Sequence, residues 1–300
     1  MAEMDDKEND RTDKDDLTRR DFVAMTVAAG IGAAAGADLA AQQVTEKTVE
    51  IKTPDGTCDA AFVYPASGAH PAVIIWPDAF GLRPSMREMA RRLATEGGYS
   101  VLVPNPFYRV AKAPVFEDAS AFNFGDPAQR GKLTPLMGSI GADGAAEKDA
   151  AAFVAWLDMQ PQVDRAKKIG TQGYCMGGPL VVRTAAAVPN RIGAGASFHG
   201  GGLVTQNPNS PHLLAPKIKA RMYFGIATND DMQQPDAKTK LKEAFDAAKV
   251  PAEIEVYSMA QHGWCVPDMP KQANGRPIYS KPDADRAWGK LLALYKAGLG

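Results

Sequence analysis

Cys175 stands in Gly173-Tyr174-Cys175-Met176-Gly177-Gly178, after the apolar lead-in Lys168-Ile169-Gly170 and before an Ala/Val/Leu run from Pro179 to Val188. A strand, a Gly-X-Cys-X-Gly turn and a helix in this order make a nucleophile elbow. Such a turn is strained and tight, so its neighbours must lack side chains. It lifts the thiol above a sheet and aims the Met176 amide, at a helix N-terminus, at the place where negative charge develops during acyl transfer. The same N-terminus favours the thiolate. Two further reactive groups follow predicted strands: the acids of Thr228-Asn229-Asp230-Asp231 and the imidazole of Gln261-His262-Gly263-Trp264. A thiol attacks a carbonyl as thiolate; His262 would accept its proton, and an acid would fix the imidazole tautomer. Either Asp230 or Asp231 can be that acid. Asp231 is the expected one, because it stands four residues before Pro235, a spacing that puts it in the loop ahead of a helix.

The elements that must position these groups alternate along the chain. Residues 48–52 and 58–64 read as two strands joined at the turn Pro54-Asp55-Gly56. Residues 72–76 form an apolar run of the kind buried on both sheet faces. A helix follows over 84–96, stopped by Gly97-Gly98, then a strand over 100–103. Residues 105–141, rich in Pro, Phe and Gly, read as a long irregular connection such as a lid or pocket wall. Helices are expected over 145–157, 235–248 and 283–298, and strands over 191–198, 221–227 and 252–257. This alternation predicts an α/β fold with a mostly parallel central sheet and helices on both faces, in one domain over 48–300. Reactive groups of such sheets gather at the carboxyl ends of the strands. His199, also at a strand end, reads as pocket lining or structural, and His70 and His212 as surface loop residues.

The chain has 300 residues, a formal net charge of −1 and 45% hydrophobic residues. That composition suits a globular α/β protein and gives nucleic acid no basic surface to bind. Three cysteines, Cys58, Cys175 and Cys265, are too few for a disulfide framework and do not have zinc spacing. Cys265 reads as a small buried side chain, or as a partner that could close an inhibitory disulfide with Cys175. No metal cluster or dinucleotide fingerprint is visible, so no cofactor is expected. Residues 1–17 are polar and charged; Arg19-Arg20-Asp21-Phe22 then precedes a mild Ala/Gly-rich run to about Ala41. This resembles a twin-arginine signal peptide, with cleavage expected after Ala37 or Ala41. It implies the twin-arginine export machinery as a partner and a periplasmic or otherwise exported protein, or a membrane anchor if the leader stays uncleaved.

On these residues the chain resembles the dienelactone hydrolase family of α/β-hydrolases. The resemblance covers about 48–298 and rests on the Cys175 elbow, Tyr223-Phe224-Gly225 leading to Asp231, His262-Gly263-Trp264, and Asp78-Ala79-Phe80-Gly81. The order nucleophile, acid, base is that of the superfamily. The resemblance implies Cys175 as nucleophile, Asp231 as acid, His262 as base, and an oxyanion hole from the amides of Ala79 and Met176. Asp78 occupies the place of a family Glu linked to thiol activation, one methylene shorter. Arg130 resembles a carboxylate-binding Arg, and Trp264 is a further expected substrate contact. Val266 stands where dienelactone-cleaving members carry an Arg for the substrate carboxylate, which points away from dienelactone itself.

Two functions are therefore weighed. One is a hydrolase of a lactone, ester or thioester acting through an acyl-Cys intermediate. The other is an exported, non-catalytic binding protein on the same fold. The oligomeric state is not legible.

Overall fold

The structure is a computed structural model that describes residues 43–300; the leader and its signal motif lie outside the described residues. Eight strands form one sheet in the order β1-β2-β4-β3-β5-β6-β7-β8. β1 (Val44–Thr53) and β2 (Gly56–Pro65) form an antiparallel hairpin, and β2 pairs antiparallel with β4 (Ser100–Pro104). From β4 onward neighbours are parallel: β3 (Ala72–Trp76), β5 (Ile169–Tyr174), β6 (Ile192–Phe198), β7 (Arg221–Ala227) and β8 (Ala252–Tyr257). Every residue of β3, β4 and β5 is buried. That is the reason β3 and β4 read as near-continuous apolar runs rather than alternating ones; β5 also buries Thr171 and Gln172.

Side chains leave a strand alternately to its two faces, and the core divides accordingly. Val73 and Ile75 pack with α1 (Pro84–Gly97) and α7 (Lys281–Gly298) through Met86, Ala90, Leu93, Ala287, Leu291 and Tyr295. Ile74 and Trp76 pack on the other face with α3 (Ala145–Leu157), α4 (Gly177–Ala187) and α6 (Ala237–Ala247). The result is the mostly parallel sheet with helices on both faces that the alternation predicted, in the α/β-hydrolase form that the resemblance implied.

Three segments depart from expectation. Part of the connection read as irregular is α2 (Pro127–Gly141). Its start is conventional, with Asp126 accepting from the Ala128 N–H and Pro127 in the first turn. It has no sustained apolar stripe, and it contains Pro135 and three glycines, so periodicity does not reveal it. Residues 211–217 form a 3-10 turn. After β7 the chain enters α5 (Thr228–Gln233) at once, with no loop between; this decides which acid reaches the site.

Candidate active site

The order of strands sets the site. β3 lies between β4 and β5, so the chain leaves β3 and β5 on opposite courses and opens a crevice at their carboxyl ends. Cys175 follows β5 directly and has φ 52, the left-handed region that a non-glycine residue enters only at a cost of about 1–3 kcal/mol. Its surroundings hold it there. A Cβ on Gly173 would stand 2.2 Å from the Gly177 carbonyl oxygen, and one on Gly177 2.4 Å from the Trp76 carbonyl oxygen. Both obstacles are backbone. The elbow is thus pressed against the end of β3, where Ala79 begins the next loop. Gly177→Ala is expected to lower stability by about 1–3 kcal/mol through overpacking, seen as a fall in the thermal midpoint. Gly289→Ala, whose Cβ meets nothing within 4 Å in α7, should leave the midpoint unchanged or raise it.

His262, the expected base, lies after β8. The His262 N–H donates to Asn229 Oδ1 (2.8 Å), and Nδ1–H donates to the Asp230 carboxylate at 2.9 and 3.0 Å. The exits of β7 and β8 are pinned together: the Thr228 N–H donates to the Ala260 carbonyl (3.0 Å) and its hydroxyl to the Tyr257 carbonyl (2.8 Å). Burial depresses the imidazolium, but the hydrogen bond to the Asp230 carboxylate and the neighbouring Cys175 outweigh it and raise the His262 pKa to about 10. The stability that this charge contributes is complete below the unfolded pKa near ~6.5. It is lost as pH rises through the folded value of about 10.

The acid beside His262 is Asp230, which corrects the expectation of Asp231. Asp231 faces away and pairs with Lys238 Nζ at 2.6 and 2.7 Å. Successive residues on a helical turn point about 100° apart, so only one of the two can face the imidazole.

Asp78 is likewise corrected. Its carboxylate accepts from the Phe80 N–H (2.9 Å) and from both terminal nitrogens of Arg83 (2.8 and 3.0 Å), and none of its hydrogen bonds goes to Cys175. Arg83, 1% exposed, also donates to both oxygens of Asp268 at 2.7 Å. Burial alone would raise the Asp268 carboxyl; the guanidinium outweighs burial and holds it below its ordinary range. Asp78 thereby shapes the Ala79–Phe80 turn instead of reaching the thiol. Among the described residues, the N–H groups of Ala79 and Met176 carry no hydrogen bond. Both are left available on the two segments that meet at Gly177.

Two expected substrate contacts are engaged elsewhere. Trp264 is fully buried, stacked on Tyr257 with ring centroids 4.7 Å apart. Arg130 is exposed and donates to the Phe124 carbonyl (2.6 Å). Cys58 and Cys265 are buried free thiols, and burial raises the pKa of each. One neighbour of Cys175, His199, makes a contact with it that the sequence did not reveal. Only the adjacency of β5 and β6 brings it there. Among the described residues no cluster of three or more His, Cys, Asp or Glu is arranged to hold a metal ion.

A cavity of about 250 Å³ opens beside Met176, walled by Met137, Ile140, Leu180, Arg183 and Thr205 among others. Above the Ala79 turn, Phe80, Phe116, Phe122 and Phe124 pack edge to face at 4.8–5.9 Å.

Comparison with known proteins bears on the family and the fold. The model of the dienelactone hydrolase family matches residues 58–299. The carboxymethylenebutenolidase of Rhodococcus opacus is 28% identical over 216 residues, covering 71% of this chain and 78% of that protein. Among solved structures, a dienelactone hydrolase-like promiscuous phosphotriesterase from metagenomic libraries superposes with a TM-score of 0.68 at 23% identity. It covers 86% of this chain and 99% of its own. Dienelactone hydrolase from Anabaena variabilis gives 0.57 at 16% identity, covering 86% and 100%. At these identities the structural neighbours speak for the fold.

Proposed function

The chain belongs to the dienelactone hydrolase family and is a hydrolase of that type, and from that premise we propose that it cleaves an uncharged ester, lactone or thioester through an acyl-Cys175 intermediate. The observation that carries this reading is the His262–Asp230 hydrogen bond (2.9 Å) with Cys175 near enough to help raise the His262 pKa, the three residues following β8, β7 and β5.

In the proposed cycle His262 takes the thiol proton, and Asp230 keeps Nδ1 protonated so that Nε2 is the working nitrogen. The sulfur attacks the carbonyl carbon. The Ala79 and Met176 N–H groups donate to the oxyanion. As the tetrahedral adduct collapses, the imidazolium gives its proton to the leaving oxygen or sulfur. Water then attacks the thioester, His262 accepts a proton from it, and the acid product leaves.

The lack of charge on the substrate is argued from the cations near the cleft. Arg83 is held by two carboxylates, Arg130 by the Phe124 carbonyl and Arg183 by Glu147 at 2.8 Å. Val266 is fully buried. A carboxylate on the substrate would have to displace one of these partners; the buried Arg83 contacts are charge-assisted bonds of about 1.5–3 kcal/mol, and the part-exposed Arg183–Glu147 pair contributes about 0–1 kcal/mol. The twin-arginine-type leader further supports action outside the cytoplasm.

Acyl-enzyme trapping tests the proposal. Brief incubation with p-nitrophenyl acetate, acid quench and peptide mapping should find the acetyl group on Cys175. An unmodified Cys175 during turnover, or release of nitrophenol with label elsewhere, would reject the thiol mechanism. No turnover and no label across neutral esters would favour a binding protein instead.

A further inference from the structure

The contact between His199 and Cys175 goes unused in that cycle. His199 follows β6, the strand beside β5. It is 1% exposed and has φ 41, so its own backbone is in the left-handed region. Its Nδ1 accepts the Cys175 N–H at 3.1 Å, a bond that this N–H shares with the Phe198 carbonyl, also at 3.1 Å. Its backbone N–H donates to the Gly225 carbonyl of β7 (2.8 Å). The ring stands edge to face against His262 at 4.9 Å and against Trp264 at 5.1 Å, and lies 6.0 Å from the Tyr174 ring. Nε2 has no hydrogen-bond partner among the described residues.

A buried imidazole with one side-chain hydrogen bond is an expensive way to fill space. Burying a polar group without full hydrogen bonding is unfavourable, and a Phe of similar shape would avoid that penalty. The one bond the ring makes is to the amide of the residue whose backbone is strained. An acceptor at Nδ1 also requires the neutral ring with its proton on Nε2. Burial, and next the charge on His262, press His199 well below the ordinary imidazole range, which keeps it neutral.

We infer that His199 is a positioning residue: its Nδ1 lone pair holds the Cys175 amide, and so the left-handed turn that presents the sulfur to His262. The inference rests on the reading of Cys175 as nucleophile. A displaced sulfur loses the alignment on which proton transfer and attack depend, and small displacements cost rate steeply. Substrate binding, which needs no such alignment, should be spared.

Four full-length variants test this. Asn places its amide oxygen where Nδ1 stands; Gln places it where Nε2 stands; Phe keeps a ring and lacks the acceptor; Leu lacks both. The readouts are the rate of iodoacetamide alkylation of Cys175 at fixed pH, located by peptide mapping, and kcat and KM for p-nitrophenyl acetate. His199→Phe and His199→Gln are expected to slow alkylation and kcat roughly 10- to 100-fold with KM within about threefold. His199→Asn should stay within about threefold of the parent. Equal loss in Asn and Gln, or parent-like alkylation in Gln, would overturn the inference. This comparison stands even if the Phe and Leu proteins fail to fold. If the parent's Cys175 is itself unreactive, the nucleophile reading fails; if it reacts and no His199 variant changes it, only the positioning role does.

Discussion

Replacing Asp230 by Asn is expected to reduce kcat for an activated ester by roughly two to four orders of magnitude, while Asp231→Asn leaves it within about threefold. The two residues are neighbours of identical chemistry, so the comparison isolates geometry. Asn at 230 can offer its amide N–H₂ to Nδ1, which selects the wrong imidazole tautomer and removes the charge that stabilises the imidazolium. Asn at 231 loses only the ion pair with Lys238, whose partners are 22% and 38% exposed. Exposed pairs contribute about 0–1 kcal/mol. Stopped-flow or steady-state release of nitrophenol decides the matter. An Asp231→Asn protein as impaired as Asp230→Asn would show that the ligand-free arrangement is not the working one.

Cys175→Ala is expected to remove ester turnover to the level of buffer, with the thermal midpoint little changed because Cys175 is half-buried and its deletion leaves no sealed cavity. The same substitution should lower the pKa of His262 from about 10, since one of its two stabilising partners is gone and burial still opposes the charge. NMR titration of the imidazole measures this independently of any substrate. Turnover surviving in the Ala protein would remove the acyl-Cys mechanism. An unchanged His262 pKa would mean that sulfur and imidazole do not interact in solution.

Much of this site is legible in the chain because it depends on local rules. The elbow is written in Gly173, Cys175 and Gly177, whose spacing follows from what a tight strand-to-helix turn excludes. The apolar runs at 72–76 and 221–227 mark covered strands, and reactive groups then fall at strand ends. What escaped depends on facing and adjacency. Whether Asp230 or Asp231 meets His262 is a matter of about 100° of helical rotation, fixed by Thr228 bonding back to the exit of β8. Trp264 looks like a substrate contact beside His262, but it turns under the loop and into the core. Asp78 looks like an activator until Arg83, five residues on, is seen to take both its oxygens. The bond from His199 to Cys175 joins residues on neighbouring strands, and single-sequence periodicity carries no information about which strands are neighbours. Helix α2 escaped because Pro135 and three glycines interrupt it and its few buried residues, Leu133, Leu136 and Ile140, fall only in its second half.

Arg83 has a mechanical consequence. One guanidinium fastens the turn carrying the Ala79 amide to the segment six residues beyond His262. The wall of the cleft that carries the Ala79 amide and the wall behind His262 therefore shift as one piece, and play in either is transmitted to the other. Grafting the 78–83 turn or the 266–270 stretch alone from a relative would leave a buried charge without its clasp. Specificity in this scaffold is better altered by exchanging both segments together.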